Sequence, residues 1–350
     1  EAADRGIGLG RRFAGDDPAR DGVELAGAIQ NRAIALSDLG RLDEAILAIQ
    51  EAVDIRTTQA ERDFAGYAEY LASALNAQGI LLEDSDNVPE ALLSRQKATA
   101  TYRRLLALNR RHLHIQLLAD SLISLSETHR TLGDAPAAVA TAAEAVSLWH
   151  ELHESDPTRY ALRHANALVG LAIVDDAGWQ EHVLAALPIY RSCSPQLDPH
   201  SDGLYAASLE AIADEDRRNA RWHKALEALD EIEPVTLRLL AHDPASHIAQ
   251  RLTNLRHKQL VLTRMGEVEE AARVDELFAA EATKHARTIR LIAARSFHQR
   301  EGHLDVPASH QEPFGQLKYQ LGAWIASIRG GRETLHPKDA ERLDGLGMTW

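Results

Sequence analysis

Small and apolar positions recur along most of this chain with a period near 46 residues. Ala45, Ala91, Ala138, Val183, Ala225 and Ala271 follow one another at spacings of 46, 47, 45, 42 and 46. In the first three periods another Ala follows seven residues later (Ala52, Ala98, Ala145), and a small residue precedes by twelve (Ala33, Gly79, Ser126). Small side chains at such points let two helices pack closely, ridge into groove. A second pattern marks where the helices begin. Asp-Pro occurs at 17/18, 156/157, 198/199 and 243/244, 21 or 22 residues before Gly40, Gly178, Ala220 and Gly266. Asp supplies a side-chain acceptor at the N-cap, and Pro at the next position has no N–H to leave unpaired. Two further units keep the interval without Pro: Phe64 precedes Asp86 by 22 residues and Arg111 precedes Gly133 by 22. The pattern predicts one helix–turn–helix unit written six times, with a first helix of about 20 residues, a turn at the small residue and a second helix. Such an array buries a continuous core between neighbouring units and presents a long surface to partners.

Composition narrows the picture. The chain of 350 residues is 45% hydrophobic and 26% charged, with only 5% aromatic residues, which suits helices packed through Ala and Leu. Its net charge is −14, distributed unevenly: residues 285–350 balance to +2, and residues 1–284 carry −16. An acidic array is a poor phosphate binder, because nucleic-acid affinity rests on cations that displace counterions. Arg outnumbers Lys 32 to 6, a bias expected of a GC-rich bacterial genome. Cys193 is the sole cysteine, so neither an intrachain disulfide nor a cysteine metal site is encoded. No run approaches 18 apolar residues and no signal-peptide pattern opens the chain, so a cytoplasmic location and no membrane partner are the expectations. Residues 1–17 read as the end of an upstream helix whose own unit is missing.

The segment LGRLDEAILAIQEAVDI (39–55) resembles the turn and second helix of the tetratricopeptide repeat, with Gly40, Ala45, Ile49 and Ala52 at that family's small and apolar positions. The ordinary repeat is 34 residues, so the longer period implies longer helices. The resemblance covers 18–284 and weakens in the last three units, where Val183, Tyr190, Ile232 and Phe278 replace small residues. It implies an all-α chain whose body is a right-handed α-solenoid of about six hairpins, with the first helices lining a groove for a partner's peptide or helix. By position, the groove residues are Gln30, Ile34 and Asp38 in unit one, Asn76, Ile80 and Glu83 in unit two, and Asp120, Glu127 and Arg130 in unit three. A mixed, acidic groove favours a basic or amphipathic segment as ligand; the alternative is a solvated face.

Residues 285–350 leave the repeat interval. A helix near 286–300 is followed by an extended Val-Pro stretch. Leu321, Trp324, Ile325 and Ile328 then share one helix face, which Gly330-Gly331 end, and Pro337 opens a third helix carrying Leu343 and Leu346. This predicts a three-helix domain of about 65 residues, a size at which a core needs large side chains. The segment resembles the helicase-associated domain of certain bacterial helicases at Gly302, His303, Val306, Pro307, Gly315, Leu321, Gly322, Trp324, Arg329, Leu335, Arg342, Leu343, Leu346, Gly347, Met348 and Trp350. The Trp usual in that family about ten residues before Phe297 is absent, which implies that the first helix is joined to the last repeat helix. The resemblance implies a nucleic-acid-binding role, for DNA or RNA. Lys318, Arg329, Arg332 and Arg342 would meet phosphates and Trp324, with Trp350, would stack on bases. Core tryptophans and solvated cations are the other reading.

No phosphate-cradling G-x-x-x-x-G-K-[ST] loop occurs, and GIGLG (6–10) lacks a third glycine. HELHE (150–154) does not follow the H-E-x-x-H order of zinc proteases, so His150 and His153 read as surface histidines and no metal or other cofactor is expected. No nucleophile–base–acid set has a local signature. The sequence therefore points to a non-catalytic interaction scaffold with a small C-terminal module. The alternative is an accessory part of a helicase-like machine whose motor is absent from this chain.

Overall fold

The computed structural model describes residues 18–194, 196–332 and 335–350; the upstream helix end expected at 1–17 lies outside them. Twelve helices form six consecutive TPR-like hairpins: α1 (Pro18–Asp38) with α2 (Leu42–Arg62), α3 (Phe64–Asp84) with α4 (Val88–Leu108), α5 (His112–Thr131) with α6 (Ala135–Ser155), α7 (Pro157–Val174) with α8 (Trp179–Cys193), α9 (Pro199–Arg218) with α10 (Trp222–His242), and α11 (Pro244–Met265) with α12 (Val268–Lys284). The remainder comprises α13 (Ala286–Glu301), β1 (Glu312–Phe314), β2 (Leu317–Tyr319), α14 (Leu321–Ile328) and α15 (Pro337–Gly345). The chain divides into two compact units, residues 1–193 and 194–350. Hairpins one to four belong to the first; hairpins five and six belong to the second, with everything that follows.

The hairpin turns repeat one device. Gly40, Asp86, Gly133, Ala220 and Gly266 all have positive φ, between 54° and 86°. Each is flanked by the same hydrogen bond closing the helix end, from Arg41 N to Leu36 O, Asn87 N to Leu82 O, Asp134 N to His129 O, Arg221 N to Asp216 O and Glu267 N to Leu262 O, at 2.8–2.9 Å. This is the Schellman closure, which satisfies carbonyls that the helix end leaves unpaired. Hairpin four departs from the expected turn. Gly178 does not take positive φ; instead the Asp175 carboxylate accepts from Gly178 N at 3.1 Å and pairs with His182 Nε2 at 2.9 Å, so an acidic side chain closes the turn after a shortened α7.

The helix starts follow the Asp rule where they can be described. Asp156, Asp198 and Asp243 accept from backbone N–H groups of Arg159, Ser201 and Ser246, and Asp63 does so from Gly66 although Phe follows it instead of Pro. The anchors Ala45, Ala91, Ala138 and Ala225 are wholly buried, and Ser126 caps the interhelical contact by donating to Ala138 O at 2.8 Å. A Cβ on Gly79 would meet Arg95 Cγ at 2.8 Å. In the weaker repeats Val183, Tyr190 and Ile232 are buried, so larger side chains fill the space that small ones leave in the earlier hairpins.

In the second unit α13 is not fused to α12 but is separated from it by His285, which ends one helix and starts the next. Phe297, Leu304, Val306, Leu321, Ile325, Ile328, Leu343 and Met348 form the core of the C-terminal segment, with Trp324 packed against it. The expected three helices are present, and a two-stranded antiparallel hairpin is added to them, pairing Glu312 with Tyr319 and Phe314 with Leu317 around Gly315 at φ 59°. Phe314 carries the hairpin onto Leu240, Ile248, Leu252 and Ile289. Gly322 has no room for a side chain: a Cβ there would lie 1.9 Å from Pro307 O. The α14 start and the Val306-Pro307 stretch thus pack backbone against backbone, with Gly322 N donating to His310 O at 3.0 Å.

Candidate functional site

The nine residues expected to line a groove lie on three successive first helices of the first unit. Ile34 and Ile80 are 46% and 52% exposed, on positions six residues before their turn residues. Asp38, Asp120, Glu127 and Arg130 are exposed; Gln30, Asn76 and Glu83 are half-buried. Two of the nine hold helices together. Glu83 receives Arg95 Nη2 at 2.5 Å and Thr128 Oγ1 at 2.6 Å, tying α3, α4 and α5, and Asn76 Oδ1 accepts from Ser121 Oγ at 3.3 Å. Glu127 and Arg130 pair with each other, and this bond holds the Glu127 carboxyl below its ordinary value. Desolvation raises the Asp120 carboxyl, offset in part by Arg163 at 4.0 Å, although half of its side chain faces solvent.

The same register continues where the sequence reading did not follow it. Ten and six residues before Ala220 stand Glu210 and Asp214. Glu210 is raised by desolvation and accepts from Asn254 Nδ2 at 2.8 Å; Asp214 pairs with Arg217 at 2.5 Å. Counting back from the turn residue was the signal that finds them. Of the HELHE histidines, His150 is exposed and His153 half-buried. Their rings gather on His164 of the next helix, His150 at 5.1 Å and His153 at 5.3 Å between centroids, and burial with these neighbours lowers His164 to about 4. No group of histidines, cysteines and carboxylates among the described residues can hold a metal ion.

The five C-terminal candidates fall into three environments. Arg329 is bound to Asp305 at 2.8 Å. Arg332 is bound to Asp344 at 2.5 Å, and Asp344 also accepts the Trp350 indole N–H at 2.7 Å, so cation, acid and ring close on one another. Trp324 is half-buried against the core, its ring 6.0 Å from the Arg290 guanidinium. Lys318 is exposed on β2 and Arg342 on α15, neither with a carboxylate partner among the described residues. Arg342 lines a cleft of about 510 Å³ with Arg287, His336 and Lys338. Arg287 makes a two-pronged bond to buried Asp339 at 2.7 and 2.8 Å. Lys338 and Arg342 are one turn apart on α15, so their convergence was legible as an i, i+4 pair; Arg287, 49 residues before His336, was not.

A model described as "Helicase associated domain" matches residues 289–350. No curated protein matches the chain. Among solved structures, BtubC (BKLC) from P. vanneervenii is similar over 68% of this chain and 89% of its own, at 18% identity and a TM-score of 0.53. Nro1, a hypoxic regulator of sterol synthesis described as a nuclear import adaptor, is similar over 81% of this chain and 94% of its own, at 11% identity and a TM-score of 0.54. A Podosopora anserina protein with nearly identical TPR-like repeats aligns over 78% of this chain and 99% of its own, at 15% identity and a TM-score of 0.37. The likeness to the first two is one of fold. No helix among the described residues is long and apolar enough to cross a membrane.

Proposed function

We propose that this chain is a non-catalytic adaptor in which the TPR-like array, taken as 18–284, recruits a protein partner and the module 285–350 contacts nucleic acid. The observation that carries the first part is the pair Ile34 and Ile80, exposed at equivalent positions of successive hairpins, in a first unit that also holds desolvated Asp120. Apolar anchors one repeat apart beside acidic groups suit a basic amphipathic helix, which gives apolar contact and charge complementarity together. A labelled basic amphipathic peptide of Leu and Lys, titrated against the full chain, is expected to bind with a Kd of about 1–100 μM. Ile34→Asp with Ile80→Asp should weaken it at least about tenfold; equal binding by the variant removes the groove from the account. The adaptor role printed for Nro1, similar in fold, supports this reading, and a single cysteine suits a reducing, cytoplasmic setting.

For the C-terminal module the supporting observation is the cleft where Lys338 and Arg342, without carboxylate partners among the described residues, lie beside Arg287. Cations of this kind serve phosphate contacts, which position a protein on nucleic acid without reading sequence. The match to the helicase associated domain supports a second reading, that the chain is an accessory part of a nucleic-acid-processing machine whose motor lies elsewhere. Association with a separate ATP-dependent motor would favour that reading over a free-standing adaptor.

A further inference from the structure

Within the second unit, hairpin six and the β1–β2 hairpin enclose a cleft of about 400 Å³ that the proposed function does not use. Its inner surface is apolar: Phe314 is buried, and Phe278 and Leu317 are half-buried. Its rim is cationic, with Arg256 from α11, Arg290 from α13 and Lys318 from β2, and no carboxylate lines it. Arg256 is neutralised by Asp275 at 3.1 Å outside the lining. Arg290 and Lys318 have no carboxylate partner among the described residues. In a chain of net charge −14, apolar surface edged by two uncompensated cations is a local inversion of the protein's own field.

We propose that this cleft is a docking site for an acidic, apolar peptide segment of a partner protein, one that buries a Leu or Phe side chain and sets flanking carboxylates on Arg290 and Lys318. The volume suits one or two large side chains, at the small end of ordinary ligand pockets. Single-stranded nucleic acid fits less well, because base stacking needs an open aromatic face. The Arg256 guanidinium already lies 4.3 Å from the centre of the Phe278 ring, and Phe314 is 4% exposed. This site is separate from the Lys338–Arg342 cleft and from the array groove of the first unit, and it stands or falls independently of both.

The test uses the full chain and a fluorescein-labelled peptide with the core Asp-Glu-Leu-Phe-Asp-Glu. Controls carry Lys in place of the acids or Ala-Ala in place of Leu-Phe, and an unlabelled thymidine decamer serves as competitor. Saturable binding is expected with a Kd of about 10–500 μM. Both controls should be at least about tenfold weaker, and so should the acidic peptide on Lys318→Glu and on Arg290→Glu, tested separately. Lys338→Glu with Arg342→Glu should leave peptide binding unchanged. Both rim residues are exposed, and an unaltered melting curve confirms that each variant is folded. The proposal is overturned by no saturation to about 1 mM, by binding indifferent to both rim variants, by equal binding of either control, or by displacement of the peptide by the decamer.

Discussion

Glu312 and His164 are the two residues whose surroundings shift their chemistry most legibly, in opposite senses of charge. Glu312 has no exposed surface. Burial alone would raise its carboxyl, but Arg300 at 2.8 and 3.0 Å, His310 at 2.8 Å and Ser296 at 2.8 Å overcome that and hold it at about 2. A carboxylate held below its ordinary value stabilises the fold fully above that value, and the contribution fades as pH falls from about 4.5 toward 2. Glu312→Gln removes the buried charge on which Arg300, His310 and Ser296 converge and should lower the denaturant midpoint of the second unit at pH 7. An unchanged midpoint would show the cluster to be ornamental. His164 is neutral in the fold and held near 4 against an ordinary 6.5. The unfolded chain takes up the proton first, so stability present above pH 6.5 is lost between about 6.5 and 4. His164→Asn should flatten the first unit's melting profile over that range, and a profile as steep as the parent's would refute the assignment. Neither residue was legible in the sequence. Of the partners of Glu312, Arg300 and Ser296 lie 12 and 16 residues away on α13, and the rings that press on His164 come from a different helix.

At the scale of elements, what is local was legible and what is tertiary was not. Caps and turns are decided within six residues, so Asp-Pro and the small turn residues marked the hairpins before any fold was known. The turn of hairpin four differs from the others because Asp175 and His182, seven residues apart, replace the left-handed residue with a side-chain hydrogen bond. The β1–β2 hairpin escaped because its strands have three residues each, too short for any alternation to register, and they are held by Phe314 against α11 and α13. The turns also yield a prediction. Ala220 holds φ 54° where the equivalent positions Gly40, Gly133 and Gly266 need no Cβ. Ala220→Gly relieves a left-handed strain of about 1 kcal/mol, partly offset by a more flexible unfolded chain. A net gain of about 0.5 kcal/mol and slower amide exchange at the α9 end are expected; a loss of stability would mean that the turn is not strained.

At the scale of the whole molecule, sequence divides the chain by repeat, with the array ending near 284, and the fold divides it into compact units at 193/194. The C-terminal segment packs through Phe314 and Ile289 onto residues of hairpin six, so its core is continuous with the helices before it. Of the candidate nucleic-acid residues, the sequence could name cations but not their partners. Arg329 and Arg332 are spent on Asp305 and Asp344, which leaves Lys318 and Arg342 open among the candidates, with Lys338, unforeseen, one turn from Arg342. The claim that this segment contacts nucleic acid is tested most directly by fluorescence anisotropy of labelled single- and double-stranded DNA and RNA against the full chain at two salt concentrations. Binding should weaken steeply with salt, and Lys338→Glu with Arg342→Glu should lower the slope of log affinity against log salt by about 1.5–2. No binding at low salt, or a slope that the double variant leaves unchanged, would contradict the account and leave the array as the seat of function.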